Sequence, residues 1–246
     1  MVQTLPTVDA GSATSPKRLP ARIGGIIFSP RATYADVAAH PRWAATFLVV
    51  YLVSAAVATA FMRSEVGRAA VVDQQITQAE SYGRQLTQQQ IDRLETMSQY
   101  YGALAPVLQF VSLVVGSLMV AGLAFAVFNA LLGADASFRQ VFAVVVHSGV
   151  ILAALSLFST PLAYARQTLS STTNLAVFAP FLDDSSFPAR LLGSIDLVYI
   201  WWMVSLAIGL GVVYRRRTAP IATTMIAIYV VIGIVIAVIK TAAAGA

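Results

Sequence analysis

Cysteine is absent from this chain and histidine occurs twice, as His40 and His147. Without thiols there is no disulfide framework, no zinc–thiolate or iron–sulfur centre and no cysteine nucleophile. Charge is scarce too: 11% of 246 residues are Asp, Glu, Lys or Arg, against about a quarter in soluble domains. The scarcity is concentrated in five places. Residues 43–62, 103–134, 140–165, 197–214 and 218–239 contain no charged side chain at all. A hydrocarbon core about 30 Å thick is crossed by about 20 helical residues, whose backbone satisfies its own hydrogen bonds. Each charge-free stretch is therefore a candidate span, and the expected fold is all-α and polytopic.

Catalytic signatures are missing as well. No Gly-x-Ser-x-Gly elbow, no glycine-lysine-threonine P-loop and no Gly-x-Gly-x-x-Gly turn occurs. A solitary Asp196 does not make the aspartate pair that intramembrane proteolysis requires. These absences argue against an enzyme, and no cofactor or metal is implied. The net charge of +5 comes without basic patches interleaved with aromatics, so nucleic acid is not an expected partner.

What is present sets the topology. Residues 103–134 would make about 48 Å of helix at 1.5 Å per residue, too long for one perpendicular crossing and too short for two. Pro106 falls in the first turn of that stretch and Gly133 is a natural stop. The third stretch is expected to end around Pro161, and Pro220 opens the fifth just after Arg215, Arg216 and Arg217. Five transmembrane helices put the termini on opposite faces. One face then carries nine basic residues against Asp9, Asp36 and Asp135, and the other seven basic residues against eight acids. The positive-inside rule makes the first face cytoplasmic, with the amino terminus inside and the carboxyl terminus outside.

The expected organisation is a flexible cytoplasmic tail over 1–22, a juxtamembrane amphipathic segment over 23–42 and a membrane domain over 43–240. Its spans lie near 43–62, 104–132, 140–163, 194–214 and 218–239. In the juxtamembrane segment Ser29 can cap a helix opened by Pro30, with Tyr34, Val37 and Ala38 on one face and Pro41 as the stop. An outer helical segment is expected over 66–101. Thr87 and Gln90 form a capping box, so a helix starting there would run straight into the second span. The apolar run 175–182 is too short to cross and reads as a surface-docked loop. Asp196 reads as the N-cap of the fourth span.

His147 is the one ionisable side chain well inside a span, and an intramembrane titratable group is a functional candidate by default. Its competing role is structural, since no second His, Asp or Glu stands at i+3 or i+4. With Asn129, Gln109 and Ser148 it could line a polar groove that carries headgroups past the core, as a lipid-handling or transport component would. The other class is an interaction or membrane-organising protein, with Tyr34, Val37, Ile91 and Leu94 on its contact surfaces. Its partners would be the bilayer and a membrane protein or a second copy of the chain. Small residues four apart, Ser54 with Ala58, Ser112 with Gly116, Ser205 with Gly209 and Gly233 with Ala237, favour close helix packing.

The order of parts resembles the Ypt/Rab-interacting membrane protein family (the Yip family) in its bacterial form. The matching pieces are Ile27-Phe28-Ser29-Pro30 with Pro41-Arg42-Trp43, and Ser137-Phe138-Arg139-Gln140-Val141-Phe142. A third is Leu192-Gly193-Ser194-Ile195-Asp196-Leu197-Val198-Tyr199-Ile200-Trp201-Trp202, continuing to Ile208-Gly209-Leu210 and the basic turn. The resemblance implies a five-span bundle with a cytoplasmic amino terminus and a non-enzymatic role of the trafficking or membrane-organising kind. Eukaryotic relatives are associated with Rab-type small GTPases. Here the Gly-Tyr motif expected in the third span is replaced by His147-Ser148-Gly149-Val150, which weighs against GTPase recruitment and toward a bacterial inner membrane.

Overall fold

A computed structural model describes residues 16–183 and 186–244. All regular structure among these residues is helical. Four helices are long and apolar enough to cross a membrane: Ala44–Arg63, Gln88–Leu131, Phe138–Arg166 and Thr218–Ala243.

The chain begins with a helical hairpin, α1 (Leu19–Phe28) and α2 (Pro30–Ala39). Residues 19–22, expected in the flexible tail, are instead the first turn of α1. Pro20 sits where its missing N–H would have had no partner, and Arg22 is drawn inward by Asp36. Residues 1–15 of the expected tail, Asp9 among them, lie outside the described residues.

α3 (Ala44–Arg63) turns sharply into α4 (Glu65–Ser81). Ser64 caps α4 by accepting from the Gly67 N–H at 2.9 Å. A Cβ on Gly67 would lie 2.0 Å from the Phe61 carbonyl oxygen, so only glycine permits this elbow. α5 (Gln88–Phe125) then returns as one unbroken helix, opened by the Thr87 N–H donating to the Gln90 side-chain oxygen at 2.8 Å. Pro106 is consequently interior rather than in a first turn, and its carbonyl accepts from the Tyr51 hydroxyl at 3.3 Å. The helix loosens into a π-helical segment, Ala126–Leu131, and ends near Gly133, whose φ of 61° is the left-handed conformation glycine adopts freely.

α6 (Phe138–Arg166) starts on a capping box of Ser137 and Gln140. Pro161 does not end it. The last turn is closed beyond the proline by Gln167 in the left-handed region, with the Thr168 N–H donating to the Ala163 carbonyl at 3.1 Å. The run 175–182 forms a single 3-10 turn, Leu175–Phe178, with Phe178 and Phe181 largely exposed. α7 (Phe187–Ser194) is a short, unexpected helix that precedes the expected fourth span and meets it only at Ser194. Extended backbone at Ile195 and Asp196 breaks it from α8 (Leu197–Val213), leaving α8 with 17 residues. α9 (Thr218–Ala244) completes the chain.

α6 is the central element, flanked by α3, α5 and α8, with α9 packed outside α8 and α7. Its apolar window is 56% buried, against 11% for that of α5 and 17% for that of α9. Hydrogen bonds tie α2, the start of α6 and the ends of α5 and α8 to one end of the bundle. The α4–α5 turn, α7 and the end of α9 gather at the other. There the Lys240 ammonium lies 5.4 Å from the Tyr82 ring centre and Arg190 donates to the Lys240 carbonyl.

Candidate functional site

The amino-terminal hairpin is locked by one buried guanidinium. Arg22 pairs with Asp36 at 2.7 Å, their side chains 4% and 12% exposed. It also donates to the carbonyls of His40 and Arg42 at 3.1 and 3.4 Å. An isolated buried charge would be costly, but here the fork is filled on both sides. Lys17 adds its backbone N–H to the Asp36 carboxylate at 3.1 Å.

Tyr34 and Val37, expected on a contact surface, are fully buried. α2 lies against α8, where the Tyr34 hydroxyl and the Ser205 hydroxyl are hydrogen-bonded at 2.8 Å. Gly209, one turn on, leaves room for the Tyr34 ring: an added Cβ would stand 3.0 Å from it and 2.4 Å from Val144. The Ser205–Gly209 pair thus serves close packing, whereas Gly116 faces open space. Burial pushes the Tyr34 phenol above its ordinary value, and the Ser205 bond opposes this more weakly.

The four residues expected to line one groove are distributed over three places. His147 and Ser148 lie fully buried in a seam between α3, α6 and α8. The Ala143 carbonyl only accepts, so His147 Nδ1 donates to it at 2.7 Å and Nε2 accepts from the Thr46 hydroxyl at 2.9 Å. The Ser148 hydroxyl donates to the Val145 carbonyl and accepts from the Trp202 indole N–H at 3.0 Å. Asn129 sits at the end of the bundle, donating to the Ala136 carbonyl and accepting from the Tyr214 hydroxyl, both at 2.8 Å. Its neighbour Phe128 stacks on the Tyr214 ring at 4.4 Å. Gln109 faces a separate cavity of about 310 Å³ between α3, α4 and α5, with Met62, Val71 and Gln75.

Ile91 and Leu94 are half-buried on the inner face of the α4–α5 hairpin. Leu94 lines a cleft of about 540 Å³ together with Gln75, Gln78, Tyr82, Arg84 and Arg93. Asp196 does cap α8, accepting from the Val198 N–H at 2.8 Å. It also accepts from the Thr173 and Ser171 hydroxyls, while its own N–H donates to the Tyr229 hydroxyl at 3.0 Å. Ser171, Thr173 and Tyr229 carried no sequence signal, since nothing local marks two loop residues and a tyrosine of α9 as partners of a cap 25, 23 and 33 residues away. Among the described residues no three His, Asp or Glu side chains converge as a metal site would need.

Long apolar helices joined by polar hairpins define a multi-pass α-helical membrane protein. The Yip1 domain matches residues 24–239, and the chain belongs to the Yip family. No curated protein and no solved structure matches it.

Proposed function

We propose that this chain is a non-enzymatic interaction or membrane-organising member of its family, threaded five times through a bacterial inner membrane with its amino terminus inside and its carboxyl terminus outside. The observation that carries the interaction reading is the α4–α5 hairpin, a polar two-helix arm with an open cleft lined by Leu94, Tyr82, Arg84 and Arg93. It offers a partner both apolar and cationic contacts, whereas the polar residues that could line a groove at depth, His147 and Ser148, are engaged by neighbouring helices. His147, Ser148 and Asn129 all hold structural hydrogen bonds. Photocrosslinkers at Gln78 and Arg93 in native membranes are expected to give one heterologous adduct of defined mass that Leu94→Asp removes. Adducts to a second copy alone overturn the reading.

Support for the fifth crossing comes from α8, about 26 Å long at 1.5 Å per residue and bounded by Asp196 and the triple arginine. The arginine turn lies at the same end as the basic amino-terminal hairpin, which is the arrangement the positive-inside rule favours for a cytoplasmic face. The chain lacks cysteine, so Arg216→Cys and Gln88→Cys report sidedness directly. Labelling of Gln88→Cys alone in intact cells is the expected outcome, and labelling of both or of Arg216→Cys alone overturns the topology.

A further inference from the structure

A groove of about 490 Å³ opens between α5 and α9, floored by Leu206 and Leu210 of α8 and by Phe128. Its walls are aliphatic apart from Thr224, and Arg216 and Arg217 stand at one end. Along α5 and the π-helical segment that continues it the lining runs from Val120 to Leu132, about 18 Å at about 1.5 Å per residue, close to the depth of one leaflet of a core about 30 Å thick. The π-helical segment Ala126–Leu131 forms part of that wall, a backbone form that is rare and concentrated at functional sites.

Both arginines are exposed, and neither makes an ion pair among the described residues. Their backbone is nonetheless fixed. Arg215 takes a φ of 52°, and the Arg216 N–H donates to the Gly211 carbonyl at 2.9 Å. Gly211 permits this, since a Cβ there would meet the Arg216 carbonyl oxygen at 3.0 Å. Two planar cationic forks thus stand over the mouth of an apolar trough one leaflet deep. An aliphatic wall solvates an acyl chain, and paired guanidinium groups match a phosphate in charge and geometry.

We infer that the α5–α9 groove is a binding site for one anionic phospholipid of the adjacent leaflet, its acyl chain between α5 and α9 and its phosphate on Arg216 and Arg217. Charge complementarity selects this occupant over a second copy of the chain. Helix-to-helix packing would place two unpaired cations against their own images, and like charges repel.

The purified full-length protein, offered equal amounts of phosphatidylglycerol and phosphatidylcholine with matched acyl chains, tests this by native mass spectrometry of lipid adducts. Phosphatidylglycerol adducts are expected to dominate, by roughly fivefold for each arginine. Arg216→Gln with Arg217→Gln should bring the ratio to about one, whereas Arg215→Gln, whose side chain lies outside the lining, should leave it nearly unchanged. Thr224→Trp, which fills the groove without touching the charges, should reduce adducts of both lipids together. Soluble glycerol phosphate should not displace the lipid. Equal adducts on the native chain overturn the site, and so does an equal fall for Arg215→Gln, which would mean general surface charge. A lipid-free dimer does the same. Each variant is checked for an unchanged melting temperature, and Arg216→Lys serves as a second, milder probe with a partial fall expected.

Discussion

α5 and α6 are both long, apolar and charge-free through their middles, yet they occupy opposite environments. Among the four long helices α6 is the most buried and α5 the most exposed. The outward face of α5 carries Val107, Leu108, Val111, Val115, Leu118 and Met119, all side chains that lipid solvates as well as protein does. α6 buries valine and alanine together with His147 and Ser148, each hydrogen-bonded to a neighbouring helix or to its own backbone. In hydrocarbon, apolar surface gains little by leaving lipid for protein, so small residues and polar partners decide which helix goes inside. The difference between the two helices is thus a difference in partners, not in hydrophobicity.

The sharpest way to break the buried side of this contrast is Arg22→Ala, which strands Asp36 beneath the hairpin. A loss of about 3–5 kcal/mol is expected in unfolding followed in detergent, with Arg22→Met plus Asp36→Leu recovering most of it. Gly209→Val comes next: its side chain would collide with Val144 and the Tyr34 ring, for about 1–3 kcal/mol by the same measurement. Thr46→Val keeps the shape but leaves His147 Nε2 without its donor, and about 1 kcal/mol should be lost.

Tyr34 adds a pH signature. Its phenol is held above the ordinary value by burial, so the unfolded chain releases that proton first as pH rises. The contribution is fully present below about pH 10 and declines above it, and Tyr34→Phe should flatten this alkaline loss in melting curves. Smallest of all is the exposed side of the contrast. Leu118→Ala and Ile232→Ala are expected to change stability by less than about 0.5 kcal/mol, and a larger loss at either would show that these faces are packed in an assembly.

Much of the helical scaffold was legible where the signal is local. The capping box at Thr87, the left-handed glycine at position 133 and the cap at Asp196 all sit in their expected roles. Proline misled twice, because Pro106 and Pro161 each remove one hydrogen bond without ending the helix around them. The short helix α7 was not expected, because its eight residues, Phe187–Ser194, are too few to cross a membrane and precede the expected fourth span, whereas the start of α8 after Asp196 was read from its cap. Of the candidate site residues, Tyr34 and Val37 were rightly placed on one helical face, but that face is turned inward. Periodicity shows which residues share a face and not what the face meets.

The amino-acid pattern by itself determined the solvent. Long runs without charge exclude water and admit lipid, because the free energy of transferring a helix depends on its composition and length. Which helix lies at the centre was decided only in the folded chain. That choice rests on pairs such as Tyr34 with Ser205 and Thr46 with His147, which are 171 and 101 residues apart. Hydrogen bonds of this kind are specified by position in space, and in an apolar medium they distinguish one hydrophobic helix from another.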